Sequence, residues 1–433
     1  MVIAVRISRV DVPISECERG LDTFNAAFSV QVPGTQSDDG NMCCIIQTDC
    51  LHIHEYNKSA FSKFRFGRGT LSTVSPQGSG QPARSCYCWG NEMKRDNLSF
   101  YEHELQGGSV SIVGVPIELG SDERGLAKAP RYLLDKGLEK VITSLHFDVS
   151  ETKMVACPKP TYTASAGSAK YLEEIAMTAR DSCAAVEKAA RHGDFVLALG
   201  GDHSMAIGTI AGAALAHRSL GVIWIDAHPD ANTHETTLSG NIHGMPAAAL
   251  MGAGHPLLTK VGGISRKIAA ENFLYIGIKD MDETEIRFLR EHSVSAVTML
   301  DIAAHGLSGA MRAIDALRRK VDVLWVSMDM DSIDKEYAPG VGMPTDGGLT
   351  RREILSLAHY IGKTGRLAGM DIVEISPAKD EKGKTAALAL ELVARFLGGE
   401  HGWYENYMED YRRTNVTGKV EEQFVNIHGK RKT

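Results

Sequence analysis

Histidine and aspartate side chains that could bind metal recur at short spacings in three segments of the chain. They are His203, Asp226, His228, Asp230, Asp329 and Asp331. Carboxylates placed together repel one another unless a cation lies between them, and mixed carboxylate and imidazole ligands suit hard or borderline divalent ions. Six ligands exceed the roughly four of a zinc site, and none is a cysteine. The pattern therefore predicts a pair of divalent ions, most simply two Mn²⁺, that share aspartate ligands.

Each of the three segments follows an apolar run that has the length of a buried strand. The runs cover residues 195–199, 221–225 and 321–328. Such runs are typical of parallel strands buried on both faces, and ligands in open α/β sheets bind at the carboxyl ends of the strands. If the chain stays extended from Asp226 through His228 to Asp230, these three side chains project to one side. An isolated pair of this kind is usually a helix cap or a surface pair, but three at strand ends favour a metal centre.

The chain from Ser109 onward alternates apolar strands with helical segments. Further strands are predicted over residues 109–117, 273–278 and 367–373. Helices are predicted near residues 131–137, 164–192, 205–217, 310–319, 351–361 and 385–397. Alternating strands and helices predict an α/β fold in which a parallel sheet has helices on both faces.

Four segments taken together resemble the ureohydrolases and, within them, the arginases. They are GGDHSMAIG, DAHPDANTHETTLSGNIHG, SMDMDSID and GMDIVEISP, inside a matching region of about residues 110–399. The resemblance implies a three-layer α/β/α domain with a mostly parallel eight-stranded sheet. It implies a binuclear manganese hydrolase that converts L-arginine and water to L-ornithine and urea through a metal-bridging hydroxide. It also implies a homotrimer that serves arginine metabolism and the urea cycle.

The resemblance assigns roles to the metal-binding and catalytic residues. One ion would be bound by His203, Asp226, Asp230 and Asp329, and the other by Asp226, His228, Asp329 and Asp331. Asp226 and Asp329 would bridge the two ions, and Asp230 would also orient the hydroxide. Glu374 would bind the guanidinium, and His243 would carry protons to the leaving amine. Without the resemblance, Glu374 is better explained as a solvated residue at a strand end. For His243, a buried structural histidine is the alternative.

The resemblance also implies how the α-carbon end of the substrate would be recognised. Asn232, Thr237 and Ser239 would bind the α-carboxylate. Asp282 would face the α-ammonium, with Glu285 behind it through a water molecule. In this order these residues distinguish arginases from agmatinase-like relatives, whose substrates lack the carboxylate.

The first 108 residues differ in composition from the rest of the chain. They contain six of the eight cysteines, namely Cys17, Cys43, Cys44, Cys50, Cys86 and Cys88, but no C-x-x-C pair, so a zinc site is not predicted. Their Gly-, Ser- and Pro-rich stretches lack periodicity and predict a largely disordered extension. We therefore predict an N-terminal extension over residues 1–108, a ureohydrolase catalytic domain over 109–400 and a C-terminal tail over 401–433.

Composition and charge exclude several classes of partner. The net charge of −7 does not indicate a nucleic-acid partner. No apolar run approaches the roughly 18 residues that a membrane span needs, and the N-terminus lacks the long apolar core of a secretory signal. We expect a cytoplasmic protein. Arg6 and Arg9 leave a mitochondrial location as the alternative, although Asp11 and Glu16 follow soon after.

Two other functions are kept open by the sequence. Another amidinohydrolase, such as an agmatinase or a guanidinobutyrase, would use the same metal centre, and activity on agmatine with none on arginine would select it. A non-enzymatic metal-binding protein is the third alternative, but both bridging aspartates are present. Two positions depart from the common arginase pattern: Met343 replaces a Thr, and Lys335 replaces a Pro. Met343 cannot donate the hydrogen bond of a Thr, so an altered substrate affinity is expected.

Overall fold

The computed structural model describes residues 26–30, 42–47, 50–53, 107–160, 169–363 and 366–399. The chain divides into two compact units, Met1–Glu102 and His103–Thr433. In the first unit, the described residues form strands β1 (Ala26–Val30), β2 (Met42–Gln47) and β3 (Cys50–Ile53), which pair antiparallel in that order. The rest of the predicted extension and the predicted tail lie outside the described residues, so the domain boundaries stay predictions.

The second unit contains an eight-stranded sheet. Its strands are β4 (Ser109–Val115), β5 (Asp148–Met154), β6 (Phe195–Gly200), β7 (Leu220–Ile225), β8 (Phe273–Ile276), β9 (Ser295–Val297), β10 (Val323–Asp329) and β11 (Leu367–Val373). Their order across the sheet is β5-β4-β6-β11-β10-β7-β8-β9, and every neighbouring pair is parallel. The predicted α/β fold is confirmed, and this sheet is parallel throughout.

Helices cover both faces of the sheet. They are α1 (Ala129–Asp135), α2 (Leu138–Ser144), α3 (Leu172–His192), α4 (Ala206–Ala216), α5 (Pro246–Leu250), α6 (Pro256–Thr259), α7 (Glu283–Glu291), α8 (Met299–His305), α9 (Ser308–Arg318), α10 (Arg351–Gly362) and α11 (Lys384–Phe396). Helices α3 to α7 contribute to one buried cluster, and α1, α2 and α8 to α11 contribute to the other. Strand residues alternate between the clusters, because successive side chains point to opposite faces. Over the described residues, no helix is long and apolar enough to cross a membrane.

The four central strands bring the candidate site together. The first two metal-ligand motifs follow β6 and β7, and the third begins at Asp329, the last residue of β10. Glu374 follows β11, which lies between β6 and β10. The strands end level with one another, since Asp329 pairs with Val373 and Met328 pairs with Ile225. Because neighbouring strands are about 4.8 Å apart, side chains at these ends are close enough to share a ligand.

Candidate active site

The first group of predicted metal ligands surrounds His203, in the turn after β6. The His203 Nδ1 atom lies 3.1 Å from Asp226 Oδ2, 3.1 Å from Asp230 Oδ2 and 3.0 Å from Asp329 Oδ2. All four residues are buried. Residues from three separate strand ends therefore converge on one point, as the sequence predicted.

The second group lies beside the first and shares Asp226 with it. The His228 Nδ1 atom is 3.5 Å from Asp226 Oδ1 and 3.4 Å from Asp331 Oδ2. His203, Asp226 and Asp329 form one set of side chains whose ligand atoms could hold an ion, and Asp226, His228 and Asp331 form another. The two oxygens of Asp226 face different histidines, which is the geometry of a carboxylate that bridges two ions.

Tight turns, and not an extended backbone, aim these side chains. Strand β7 ends at Ile225, and Asp230 adopts a left-handed backbone with φ of 49°. Asp226 Oδ1 accepts a hydrogen bond from the backbone N–H of His228 at 2.7 Å, and Asp329 Oδ1 accepts one from Asp331 N at 2.8 Å. Each of these aspartates closes a turn over the next two residues. Asp226, His228 and Asp230 therefore do not lie on one extended segment as predicted, although their side chains do meet.

The chemistry of this cluster fits divalent cations. His203 Nδ1 and Asp331 Oδ1 are buried and make no hydrogen bond within the described residues, although carboxylate oxygens surround the histidine. Burial lowers the pKa of His228, but the Asp226 and Asp331 carboxylates outweigh it and raise that pKa to about 12. Burial, together with the Asp226 charge, raises the pKa of Asp230 to about 6. The cluster therefore stabilises positive charge strongly, and four aspartates with two neutral imidazoles balance the charge of two divalent ions.

Residues behind the cluster hold its ligands in place. His203 Nε2 lies 3.0 Å from Ser327 Oγ, which in turn donates to Asp371 Oδ2 at 3.2 Å. The ring of Trp224 stacks on His203 with centroids 4.1 Å apart, and its Nε1–H donates to Asp226 Oδ2 at 2.9 Å. The sequence analysis missed these residues. The signal that could have found Ser327 and Asp371 is a polar residue inside an otherwise apolar strand, because buried polar groups need partners.

Glu374 lies against the cluster and not in solvent. It is 3% exposed, and its Oε1 accepts the backbone N–H of His203 at 2.9 Å. His243 Nδ1 lies 3.2 Å from the same oxygen. Burial lowers the pKa of His243, but the Glu374 carboxylate outweighs it and raises the pKa to about 9. A carboxylate and an imidazole are thus held together beside the metal-ligand cluster.

The other oxygen of Glu374 faces a glycine. A Cβ atom on Gly342 would lie 2.8 Å from Glu374 Oε2, so a side chain there would crowd this edge of the carboxylate. Glu374 also adopts a left-handed backbone with φ of 63°, which is uncommon for a residue other than glycine. Strain of this kind persists where the surroundings impose it, and it is often found at functional sites.

Asp282 and Glu285, predicted for the α-ammonium, form one hydrogen-bonded group with Asn232, predicted for the α-carboxylate. Asn232 Nδ2 donates to Asp282 Oδ2 at 2.8 Å, and Thr284 Oγ1 bonds to both Asn232 Oδ1 and Asp282 Oδ1, at 2.9 and 2.6 Å. Asp282 caps helix α7 in a capping box with Glu285, whose Oε1 also accepts Ala231 N at 3.2 Å. Thr284 was not predicted, because it looks like an ordinary first-turn residue of a helix.

The two predicted hydroxyl residues lie on the loop of residues 232–243. Thr237 Oγ1 accepts the backbone N–H of Gly240 at 3.0 Å, and Ser239 Oγ accepts that of Asn241 at 3.2 Å. Each oxygen is used as an acceptor, so each hydroxyl hydrogen can be donated elsewhere. Leu238 between them is 93% exposed. These hydroxyls are therefore placed to donate to an anionic group.

The two positions that depart from the common pattern lie at the surface. Met343, next to Gly342, is 44% exposed. Lys335 pairs with Asp346, with Nζ and Oδ2 2.7 Å apart. Lys335 is therefore paired with an exposed carboxylate, whereas Met343 follows directly on the glycine that faces Glu374.

Comparison with known proteins gives a consistent answer. The model of the Arginase family matches residues 108–398. The arginase of Bacillus caldovelox is 39% identical over 292 residues, which cover 67% of this chain and 98% of that relative. Its solved structure superposes with a TM-score of 0.65 at 38% identity, over 68% of this chain and 99% of that one. The Entamoeba histolytica arginase in complex with L-ornithine gives a TM-score of 0.63 at 29% identity, over 67% and 98%.

The fold and the family match are those of the ureohydrolase superfamily. Within that superfamily the chain belongs to the arginase family, and it is a hydrolase that acts on a C–N bond of a linear amidine.

Proposed function

We propose that this protein hydrolyses L-arginine to L-ornithine and urea, with two Mn²⁺ ions bound per subunit. One observation supports this most strongly. The Glu374 carboxylate is held by the backbone N–H of His203, so an anionic group that fits a guanidinium lies directly beside the metal-ligand cluster. Three relatives that are named arginases agree with this substrate.

The two groups of ligands described above divide between two ions. His203, Asp226, Asp230 and Asp329 would hold one, and Asp226, His228, Asp329 and Asp331 the other. Divalent ions bound there would supply an acidified water molecule as the nucleophile at neutral pH. The position of Asp230 within the cluster lets its carboxylate accept a hydrogen bond from that nucleophile and orient it.

Glu374 binds the guanidinium in this proposal. Its Oε1 accepts the His203 N–H, and its Oε2 is not crowded by a side chain from residue 342, which is a glycine. Because Oε1 already has His203 and His243 as partners, Oε2 is the oxygen that accepts the guanidinium N–H groups, and hydrogen bonds between two charged groups are strong. The reacting carbon is thereby held next to the metal cluster.

His243 supplies the proton that the leaving amine needs. Before substrate binds, the raised pKa of His243 keeps its imidazole protonated at neutral pH. A guanidinium bound to Glu374 would offset the charge of that carboxylate and so lower the pKa of His243 again. The proton therefore becomes easier to give up once the substrate has bound. A group whose pKa approaches the working pH is an effective general acid.

The opposite end of the substrate determines the choice of arginine. Thr237 and Ser239 can each donate a hydroxyl hydrogen to the α-carboxylate, and Asn232 has a second amide hydrogen beyond the one given to Asp282. Asp282 supplies negative charge for the α-ammonium, with Glu285 behind it. A site built to bond polar substrate groups rejects analogues that lack them, because its own groups are then left unpaired.

A urea-release assay across three substrates tests the proposed function. With Mn²⁺ present, we expect kcat/KM for L-arginine to exceed that for agmatine and guanidinobutyrate by roughly 100-fold or more, the effect of two hydrogen bonds to charged groups. Equal or better hydrolysis of agmatine would contradict the assignment and select the agmatinase alternative. We further propose, on the resemblance to arginases, a cytoplasmic homotrimer. A monomeric or dimeric mass by light scattering would contradict the trimer.

A further inference from the structure

Three segments distant in sequence meet at a polar cluster beside the substrate loop of residues 232–243. The Lys170 Nζ atom lies 2.9 and 3.0 Å from the two carboxylate oxygens of Asp122 and 2.8 Å from Asn241 Oδ1. Asn241 Nδ2 in turn donates to Asp122 Oδ2 at 3.0 Å. The three side chains therefore form a closed ring of hydrogen bonds that joins the loop after β4, the start of α3 and the end of the substrate loop.

Burial and charge stabilise the ring. Asn241 is 8% exposed, and both ends of its amide have partners, so its orientation is fixed. The Lys170 side chain is 15% exposed, whereas that of Asp122 is 68% exposed. Hydrogen bonds from Lys170 and Asn241 lower the pKa of Asp122, so its carboxylate stays charged at neutral pH.

Backbone hydrogen bonds connect the ring to the residues that would contact substrate. Lys170 N donates to Gly240 O at 2.8 Å, and His243 N donates to Gly120 O at 3.0 Å. Asn241 N donates to Ser239 Oγ at 3.2 Å, so the position of Asn241 determines where the Ser239 hydroxyl lies. Backbone hydrogen bonds therefore hold the far end of the substrate loop at Gly240 and at His243, on either side of Asn241.

We propose that Asp122, Lys170 and Asn241 form a clamp that positions Ser239 and Thr237 for the α-carboxylate, with Lys170 as its central positioning residue. The proposal rests on the proposed function for the identity of the substrate. Leu238 at the loop tip is 93% exposed and Ile242 is buried in the core, so the loop is anchored at its far end while the ring holds the residues that lead to the tip. Small misplacements of groups that bind substrate are enough to lower affinity or rate strongly.

Kinetics of clamp variants test the proposal. Lys170→Met and Asp122→Ala should raise KM for L-arginine about tenfold, the value of one charge-assisted hydrogen bond, and change kcat by less than about threefold. The kcat/KM for agmatine should stay within about twofold, since agmatine has no carboxylate for the loop to bind. Lys188→Met is the matched control, because Lys188 forms a surface ion pair with Glu151 at 3.2 Å and lies outside the ring.

Hydrogen exchange gives a readout that needs no substrate. In Lys170→Met and Asp122→Ala, amides of residues 237–243 should exchange about fivefold or more faster than in the unchanged chain, with α3 and the central strands unaffected. The Asp122 side chain is 68% exposed, so Asp122→Ala tests the clamp even if Lys170→Met does not fold.

Two results would overturn the clamp. One is unchanged exchange over residues 237–243 in a folded clamp variant, and the other is an equal loss of activity on arginine and agmatine. If the chain without substitutions does not hydrolyse arginine, the proposed function is refuted. Hydrogen exchange over residues 237–243 then remains as the test of the clamp.

Discussion

Replacing Glu374 by glutamine should remove most of the activity and leave the fold and the metal ligands in place. The two side chains have nearly the same shape, so the buried position stays filled. The backbone N–H of His203 points at Oε1 from 2.9 Å and requires an acceptor there. Glutamine must therefore keep its oxygen toward His203 and present its NH₂ group on the edge next to Gly342.

The size of the effect follows from this orientation. The NH₂ group would face the N–H donors of the guanidinium, so two charge-assisted hydrogen bonds are lost. At roughly 1.5–3 kcal/mol each, their loss lowers kcat/KM for L-arginine by about 10²- to 10⁴-fold. Metal content should be unchanged, because Glu374 is not among the residues that form the metal-ligand cluster.

Urea release measures kcat/KM, elemental analysis measures bound metal, and thermal melting checks the fold of each variant. Glu151→Gln is the control, since Glu151 lies at the surface in an ion pair with Lys188. A loss of less than about fivefold would refute the role of Glu374 in guanidinium binding. A large loss that comes with loss of metal would assign Glu374 to the metal site instead.

Three further predictions concern other parts of the molecule. In steady-state kinetics, Asp282→Ala should raise KM for arginine by about tenfold or more and change kcat by less than about threefold. In denaturant unfolding, the same variant should lower the free energy of unfolding by about 1 kcal/mol, because the cap of α7 is lost. A chain that begins at Gln106 should fold and hydrolyse arginine, because the site residues lie after residue 200. An inactive shortened chain beside an active full chain would mean that residues 1–105 are required. The pKa of His243 is raised from 6.5 to about 9, so the stabilisation by Glu374 is complete below about pH 6.5 and is lost as the pH rises through about 9. In metal-free protein, the difference in melting temperature between the unchanged chain and His243→Asn should therefore shrink between about pH 7 and about pH 10, and a constant difference would contradict this.

The metal-ligand cluster was predictable because its ligands directly follow apolar strands. Ligands gather at the carboxyl ends of parallel strands, so these side chains meet whenever their strands lie close together in the sheet. The runs before His203, Asp226 and Asp329 do lie in the centre of the sheet, separated only by β11. Within the eight-stranded sheet, the two strands that were not predicted lie at the edges. β5 is largely exposed with a polar sequence, and β9 has three residues, so neither has the apolar run of a central strand.

Features that depend on contacts between distant segments were not predictable from the sequence. The ring around Lys170 joins residues that are 48 and 71 positions away, and no local pattern marks any of them. The left-handed backbone at Asp230 and Glu374 also runs against local preference, since tertiary contacts impose it. Glu374 was assigned through a family resemblance, and only its burial against His203 gives a physical reason for the assignment.

Metal content measured together with activity tests the central claim most directly. The protein is stripped with a chelator, Mn²⁺ is added back in steps, and bound metal and urea release from L-arginine are followed together. The account predicts no activity in the stripped protein and full activity at about two Mn²⁺ per chain. Asp331→Asn should bind about one ion and lose about 100-fold or more in rate. Full urea production by thoroughly metal-free protein would contradict the account.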